Sequence, residues 1–402
     1  MAVLAGTVEG VNRSRIARYS PVVAAVVAAL TMSACGADAT DDRDESSRTD
    51  AAPTPSSSSA GDDSIRVRDE MTGLDHPWDV VLDPGGAIVT GERSGRIMVR
   101  QNDGRVGEVR ADGLDVRARG EGGLMGMALA NDFATSRSVY TCYASTAGDV
   151  RLVRWTAAPD WSSMTRAQDV LTGIPLNASG RHSGCRVLPA PDGTLFVATG
   201  DTASPTASQD LRSLGGKVLH VNADGSPAAG TLPGTPIHSF GHRNPQGLAF
   251  VPGTDRLYTS EHGPTVDDEV NLEQPRANYG WDPDTGSGSY DESVPMTDTR
   301  KFPTAVPSVW SSGDPTLAVA DIEVLGPVWG KYRGMLAVAA LKAQRLMLLR
   351  LSPDGRSTTE RVDLLQGTEG RLRSITTAPD GSLLVTTDNG DGADKVLRVS
   401  AA

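Results

Sequence analysis

Long apolar runs, cysteines, positive charge and helical periodicity are all scarce in this chain, and each scarcity removes a class of protein. The apolar run near the start, Pro21 to Leu30, has ten residues, half of the roughly 20 that a membrane-spanning helix needs. Three cysteines among 402 residues are too few for a disulfide framework, and the spacing of Cys142 and Cys185 fits no zinc motif. A formal net charge of −12 argues against nucleic acid or an anionic membrane face as a partner. Part of that charge, on Asp38, Asp41, Asp42, Asp44 and Glu45, lies outside the body of the protein. Windows with helical periodicity are few, the stretch Ser208 to Leu214 having room for a turn or two. No second Ser/Pro-rich linker follows residue 65, which favours one domain over two.

What is present begins with a leader. Arg13, Arg15 and Arg18 precede the short apolar run, whose length suits the core of a signal peptide. It leads to Met32-Ser33-Ala34-Cys35, which resembles a bacterial lipobox in which Cys35 becomes the lipidated N-terminus. The expectation is a lipoprotein signal peptide over residues 1–34. The mature protein is then exported and held at the outer face of the cytoplasmic membrane by its lipid alone. Residues 35–64, rich in Asp, Ser, Thr and Pro, cannot bury enough apolar surface to offset chain entropy and read as a disordered tether. In an exported protein Cys142 and Cys185 can join; a disulfide and two buried thiols both remain open.

Residues 65–402 read as β throughout. Short alternating or apolar runs, such as Ala87-Ile88-Val89-Thr90, Thr194-Leu195-Phe196-Val197 and Leu383-Leu384-Val385-Thr386, recur between Gly, Pro and Asp. A turn phrase repeats: Asp83-Pro84-Gly85-Gly86, Pro191-Asp192-Gly193, Pro353-Asp354-Gly355 and Pro379-Asp380-Gly381. Proline presets φ, aspartate tolerates the turn, and glycine accepts a positive φ. Such units predict an all-β fold, a β-propeller of six to eight blades, with the longer insertions favouring six.

Three polar, glycine-bearing clusters stand out: Gly241-His242-Arg243-Asn244-Pro245-Gln246-Gly247, Glu261-His262-Gly263-Pro264 and Asn278-Tyr279-Gly280-Trp281. With Gly73 to Trp78, Gly120 to Gly126, Asp132-Phe133-Ala134, Arg181-His182-Ser183-Gly184, Gly200-Asp201 and Leu341-Lys342, they form an ordered series over nearly all of residues 70–400. In that series the chain resembles the soluble glucose/sorbosone dehydrogenase family. These are six-bladed propellers that use pyrroloquinoline quinone (PQQ) and include the aldose sugar dehydrogenases.

The resemblance implies oxidation of an aldose sugar at the anomeric carbon to a lactone, with hydride passing to the quinone and electrons to an acceptor that the sequence does not name. His182 is the implied general base, suited by an imidazole pKa near working pH. Asp201 matches an aspartate near the sugar and the base, and Glu121 stands where glucose-oxidising members carry a sugar-contacting glutamine. Arg243, with Asn244 beside it, would face the quinone oxygens, where a fixed cation stabilises developing negative charge. Lys342, Arg371 and Arg373 match a cationic clamp for the quinone's three carboxylates. The period-two spacing of Arg371 and Arg373 puts both guanidiniums on one sheet face.

Calcium (Ca2+) is implied twice. One ion would meet the carbonyls of Gly263 and Pro264, hard oxygen ligands of the kind it prefers. A second resembles a structural site served by Asp267-Asp268-Glu269, with Asp268 and Glu269 as ligands, and by the carbonyl of Tyr279. A merely solvated acidic loop is the alternative.

Departures from the family pattern bear on substrate. Glu121 is charged, Cys185 replaces a small residue, and Arg181 puts a cation next to His182, which would lower the histidine's pKa. Two other readings compete: a non-catalytic surface-binding propeller, and a calcium-dependent lactonase-type propeller. The last requires carboxylates converging in the channel.

Overall fold

The computed structural model describes residues 65–402; the expected signal peptide, tether and lipidation at Cys35 lie outside them. Six small sheets succeed one another along this stretch and form a six-bladed β-propeller. From the innermost strand outward, blade 1 is Pro77–Leu82, Ile88–Glu92, Ile97–Arg100 and Val106–Glu108. Blade 2 is Leu124–Leu129, Ser138–Ala144, Val150–Ala157 and Ser163–Ile174, with Arg110–Asp112 added at its edge. Blade 3 is Arg186–Pro189, Leu195–Thr199, Lys217–Val221 and Ile237–Phe240. Blade 4 is Pro245–Phe250, Leu257–Glu261, Glu269–Leu272 and Trp310–Ser311. Blade 5 is Val319–Val324, Leu336–Ala340, Arg345–Leu351 and Thr358–Leu364.

Blade 6 closes the ring with strands from both ends of the described chain. Leu372–Thr377, Leu383–Thr387 and Asp394–Ala401 are joined by Ile65–Leu74, antiparallel from the pair Ile65/Ala401 to the pair Leu74/Asp394. Arg398 Nε meets Glu70 at 2.6 Å and Lys395 Nζ meets Asp69 at 3.0 Å across that seam. The Pro-Asp-Gly turns take the conformation their sequence demands, with Gly193 at φ +87° and Gly381 at φ +82°, where a Cβ would be strained. Among the described residues the α-helix is confined to Phe133–Ser136, and residues 208–214 form turns.

Each blade is covered on both faces by its neighbours, so the core lies between blades. This explains the continuous apolar runs: all five residues of Leu336–Ala340 are buried. One cluster joins Met125, Cys142 and Leu152 of blade 2 to Val187, Val197 and Leu219 of blade 3. Another joins Leu346 and Leu348 of blade 5 to Leu383 and Leu397 of blade 6.

Around the axis every blade junction also carries a named hydrogen bond. Met127 N donates to Asp79 Oδ2 at 2.9 Å between blades 1 and 2, and Gly126 N to Cys185 O at 3.0 Å from blade 2 toward blade 3. Arg186 Nε donates to Gln246 O at 2.9 Å (blades 3 and 4), and Ser260 Oγ to Ala320 O (blades 4 and 5). Ile375 N donates to Asp321 Oδ2 at 2.9 Å (blades 5 and 6), and Thr376 Oγ1 to Val80 O at 2.7 Å (blades 6 and 1). Cys142 and Cys185 are joined in a disulfide, which settles the choice the sequence left open. It ties blade 2 to the start of blade 3 across a sequence separation of 43, a loop whose closure is worth about 4 kcal/mol in the chain-entropy model.

The inner strands of all six blades line a cavity of 230 Å³. Arg186 lies there with Nη1 2.5 Å from Asp79 and Nη2 3.1 Å from Asp321, the second contact an ion pair without hydrogen-bond alignment. Burial pushes both carboxyls up, Asp321 to about 7, and the guanidinium opposes that rise. Arg186→Met removes the cation and leaves two facing carboxyls in the interior. It is expected to cost about 3–5 kcal/mol at neutral pH, and less in mild acid, where one carboxyl can take a proton. Denaturant unfolding of both proteins at two pH values checks this; equal stabilities would show that the axial ions do not seat the blades.

Candidate active site

Within a blade the first and second strands are antiparallel, so the residue before the first and the residue after the second meet at the same end. His182 and Arg243 precede innermost strands, as does Arg371; Arg93, Asp201, His262, Lys342 and Asp388 follow second strands. The polar clusters of the sequence therefore converge on one mouth of the channel.

His182 is almost wholly buried and sits at φ +51°, a left-handed conformation that is uncommon outside glycine. Its Nδ1 lies 2.8 Å from Asp201 Oδ1. Asp201 is fully buried and accepts three more bonds: Ala203 N at 2.7 Å on Oδ1, and Trp281 Nε1 and Tyr290 hydroxyl, each at 2.7 Å, on Oδ2. Nδ1 therefore carries the proton, and Nε2 has no partner among the described residues. With four donors upon it, Asp201 is placed to hold the histidine. The expectation that it also meets the sugar finds no exposed oxygen to support it.

Glu121 lies on the other side of the same loop. It accepts from Asn244 Nδ2 at 2.8 Å and from the His182 backbone N–H at 3.3 Å. Arg181 does not turn its charge on His182: its Nη2 meets Glu292 at 2.5 Å. Arg243 shares that carboxylate at 2.5 Å and donates to His262 O at 2.9 Å, while its buried Nε has no partner. His262 Nε2 is likewise buried and unpartnered. Burial first, then the charges of Arg243 and Arg373, hold His262 well below the usual imidazole range, so it is neutral.

Two of the three clamp residues, Arg371 and Arg373, meet at Asp388. Arg373 binds its carboxylate through Nε and Nη2 at 3.0 and 2.5 Å, and Arg371 Nε donates to its carbonyl at 3.0 Å. Arg371 lies just before the strand Leu372–Thr377 and Arg373 within it, and both reach the same residue. Arg93, which the sequence reading missed, adds Nη2 to Asp388 at 2.9 Å and keeps a buried Nε unpartnered. Its signal was positional: it follows the second strand of blade 1 as Lys342 follows that of blade 5. Lys342 is exposed, touches Thr316 Oγ1 at 3.5 Å, and pairs with no carboxylate among the described residues.

Of the expected calcium ligands, Asp268 also has a structural role. Its oxygens are taken by backbone N–H groups of Gly263, Leu317 and Ala318 at 2.9, 2.5 and 2.7 Å, so it ties the Gly263 turn to the approach to blade 5. Glu269 is free of that duty. It faces Glu261 across the strand pair, both are buried, and burial followed by the charge of Glu261 pushes Glu269 up to about 8. Asn271 Oδ1 beside it is buried without a partner. The carbonyls of Gly263, Pro264 and Tyr279 accept no hydrogen bond among the described residues. Glu269, with no Lys or Arg paired to it, and the orphaned Asn271 oxygen are hard donors of the kind calcium takes, whereas both oxygens of Glu261 are engaged, by His242 Nδ1 at 2.9 Å and by the Arg243 backbone N–H.

The channel carboxylates Asp79 and Asp321 are bonded to Arg186 and to backbone N–H groups. They do not form the open, convergent set that a lactonase-type site requires.

Comparison with known proteins agrees with this geometry. Residues 74–398 match the family described as Glucose / Sorbosone dehydrogenase. The aldose sugar dehydrogenase YliI of Escherichia coli (strain K12) is 29% identical over 350 residues, covering 81% of this chain and 90% of that protein. The PQQ-bound aldose sugar dehydrogenase of Streptomyces coelicolor is 31% identical with a TM-score of 0.70, over 85% of this chain and 100% of that one. The apo form of the soluble aldose sugar dehydrogenase from Escherichia coli gives 28% and 0.73, over 84% and 100%.

One prediction follows from Asp388. Burial alone would raise its pKa, but Arg373 and Arg93 hold it down to about 2. A folded pKa below the unfolded value stabilises above the unfolded pKa, and that contribution fades as pH falls through the folded one. Asp388→Asn should therefore lose about 2–3 kcal/mol at pH 7, and the difference from wild type should shrink between about pH 4 and pH 2. Unfolding curves across that range check it; a pH-independent difference would assign the loss to packing.

Proposed function

The chain belongs to the glucose/sorbosone dehydrogenase family, and we propose that it oxidises aldose sugars at the anomeric carbon to lactones, with His182 as general base and with PQQ and calcium bound. The family match and the likeness to a quinone-bound aldose sugar dehydrogenase make it a PQQ-dependent sugar dehydrogenase. The His182–Asp201 pair is what supports His182 as the base. One imidazole nitrogen is fixed by a buried carboxylate and the other is bare, in a mouth that also holds the unpartnered nitrogens Nε of Arg243 and Nε2 of His262.

His182 Nε2 takes the proton of the anomeric hydroxyl, and the charge that forms on the ring falls beside the Asp201 carboxylate. Loss of that proton makes the carbon a hydride donor. Bound PQQ would supply the two-electron acceptor, and its three carboxylates call for cations. Lys342, Arg371, Arg373 and Arg93 are the residues to hold those carboxylates, and Arg243 with Asn244 would face the oxygens on which charge develops. Glu121, between Asn244 and the His182 backbone, is placed to accept from a sugar hydroxyl. The carbonyls of Gly263 and Pro264 would hold one calcium, and Asp268, Glu269, Asn271 and the Tyr279 carbonyl the other.

His182→Ala should lower kcat by ~10²–10⁴-fold, the scale of a lost general base, while quinone still binds. Activity within threefold of wild type in reconstituted protein would take His182 out of the mechanism. The two ions should separate on chelation. The carbonyl site lacks formal charge and should lose its ion first, abolishing activity with the melting temperature unmoved. Stronger chelation should then empty the Glu269 site and lower the melting temperature, because an ion that binds only the native state stabilises it by ~2.7 kcal/mol at a hundredfold excess over Kd. A melting curve indifferent to calcium would remove the ion from Glu269.

A further inference from the structure

Blade 4 makes a long excursion between the strands Glu269–Leu272 and Trp310–Ser311, and residues 290–292 of that excursion enter the active site. The Tyr290 hydroxyl lies 2.7 Å from Asp201 Oδ2 and 3.2 Å from His182 Nδ1. Two residues on, Glu292 Oε1 lies 2.5 Å from both Arg181 Nη2 and Arg243 Nη2. The Arg181 guanidinium stands 5.7 Å over the Tyr290 ring, and the Trp281 ring is its neighbour at 6.2 Å.

A tyrosine hydroxyl has one proton to give. Asp201 Oδ2 is an acceptor only and the nearer of the two, so the proton goes there. Toward His182 the hydroxyl then presents a lone pair, which can only accept the Nδ1 proton. Asp201 Oδ1 at 2.8 Å and Tyr290 Oη at 3.2 Å therefore both accept from Nδ1. This keeps the proton on that nitrogen and leaves Nε2 bare, the tautomer a base needs. Burial and the Asp201 charge raise the Tyr290 pKa, so the hydroxyl keeps its proton at working pH.

We propose that Tyr290 is a positioning residue that fixes the tautomer and orientation of His182, and that Glu292 anchors the segment carrying it by bridging Arg181 and Arg243. The proposal rests on His182 being the general base. A residue that acted by packing alone would need no hydroxyl. The ring already has apolar cover from Trp281, whereas the oxygen is the atom that touches the His182–Asp201 pair.

The test has one arm that needs no sugar. In protein with nitrogen-15-labelled histidine, the Nδ1 proton resonance of His182, assigned by its loss in His182→Ala, should be displaced and exchange faster with solvent in Tyr290→Phe. A resonance that stays in place overturns the proposal whatever the activity does. In the second arm, PQQ- and calcium-loaded protein is assayed with aldoses and a dye acceptor. Tyr290→Phe should lower kcat by roughly tenfold to a hundredfold, the scale of one hydrogen bond to a charged group. KM and the quinone Kd, read from tryptophan fluorescence, should stay within about twofold, since neither involves the lost bond. A fall in kcat matched by an equal loss of quinone affinity would make the role structural and overturn the proposal. If wild type takes up quinone but oxidises no aldose, the sugar reading fails and the resonance arm still decides Tyr290. Glu292→Gln should lower kcat in wild type and have little further effect in Tyr290→Phe; additive losses would overturn the anchoring role.

Discussion

Everything in this propeller turns on an arginine at the axis. Arg186 starts the innermost strand of blade 3 and reaches Asp79 of blade 1, Asp321 of blade 5 and the Gln246 carbonyl of blade 4. The two aspartates in turn accept backbone N–H groups of Met127 and Ile375, in blades 2 and 6. One buried guanidinium thus connects, directly or through one carboxylate, to all six blades. Burying two carboxylates and one cation is costly, and stability alone could be had from apolar side chains of similar volume. What the ions add is register: each bond needs one blade at one height against its neighbour, and the mouth is built from residues at matching heights.

That register continues into the site through Gln246, whose side-chain oxygen accepts from Arg373 Nη1 at 3.0 Å. From Arg373 the network passes to Asp388, and from there to Arg93 and Arg371. Two arginines, Arg93 and Arg373, lean on the Asp388 carboxylate and Arg371 on its backbone carbonyl, two more share Glu292, and Lys342 pairs with no carboxylate among the described residues. A protein of net charge −12 therefore presents a locally cationic mouth, partly dehydrated, where charge acts over a short range in a poor dielectric. The overall charge, which in the sequence argues against nucleic acid, says nothing about this local cationic mouth. The depressed pKa of His262 expresses the same field: a second proton-binding group at the centre would add one more cation, and burial keeps it neutral.

How far the sequence could be read depended on whether a feature is local. Pro-Asp-Gly turns and apolar runs are local, and they led to a propeller with its turns in place. His182, Arg243 and the Arg371/Arg373 pair sit in motifs, and the fold brings them together. Asp268 stood in an acidic run that suggested a ligand. Which backbone N–H groups would converge on it depends on residues 317 and 318, so that structural role was not legible. The Cys142–Cys185 pairing needed the height of blade 2 against blade 3. Tyr290 and Glu292 come from a connection with no regular structure and no motif, and only the folded path of that segment shows where they end. Arg93 could have been found, by asking of every blade which residue follows its second strand.

The glycines of the motifs have a physical reason that is distinct from flexibility. A Cβ on Gly200 would collide with the carbonyl of His182, and one on Gly180 with the carbonyl of Arg119. The loops that carry Glu121, His182 and Asp201 therefore touch backbone to backbone, closer than any side chain permits. That proximity lets Asp201 reach the ring of a histidine nineteen residues earlier, and it holds His182 in a left-handed conformation that costs of order 1–3 kcal/mol. The strain persists because its surroundings are fixed on both sides. Cys185, three residues later, is bound to blade 2 by the disulfide, and Arg186 follows it directly onto the axis. His182, the proposed base, is aimed by the same short stretch of chain that centres the propeller, so a change that loosens the axis should reach the His182–Asp201 pair before it reaches the outer strands.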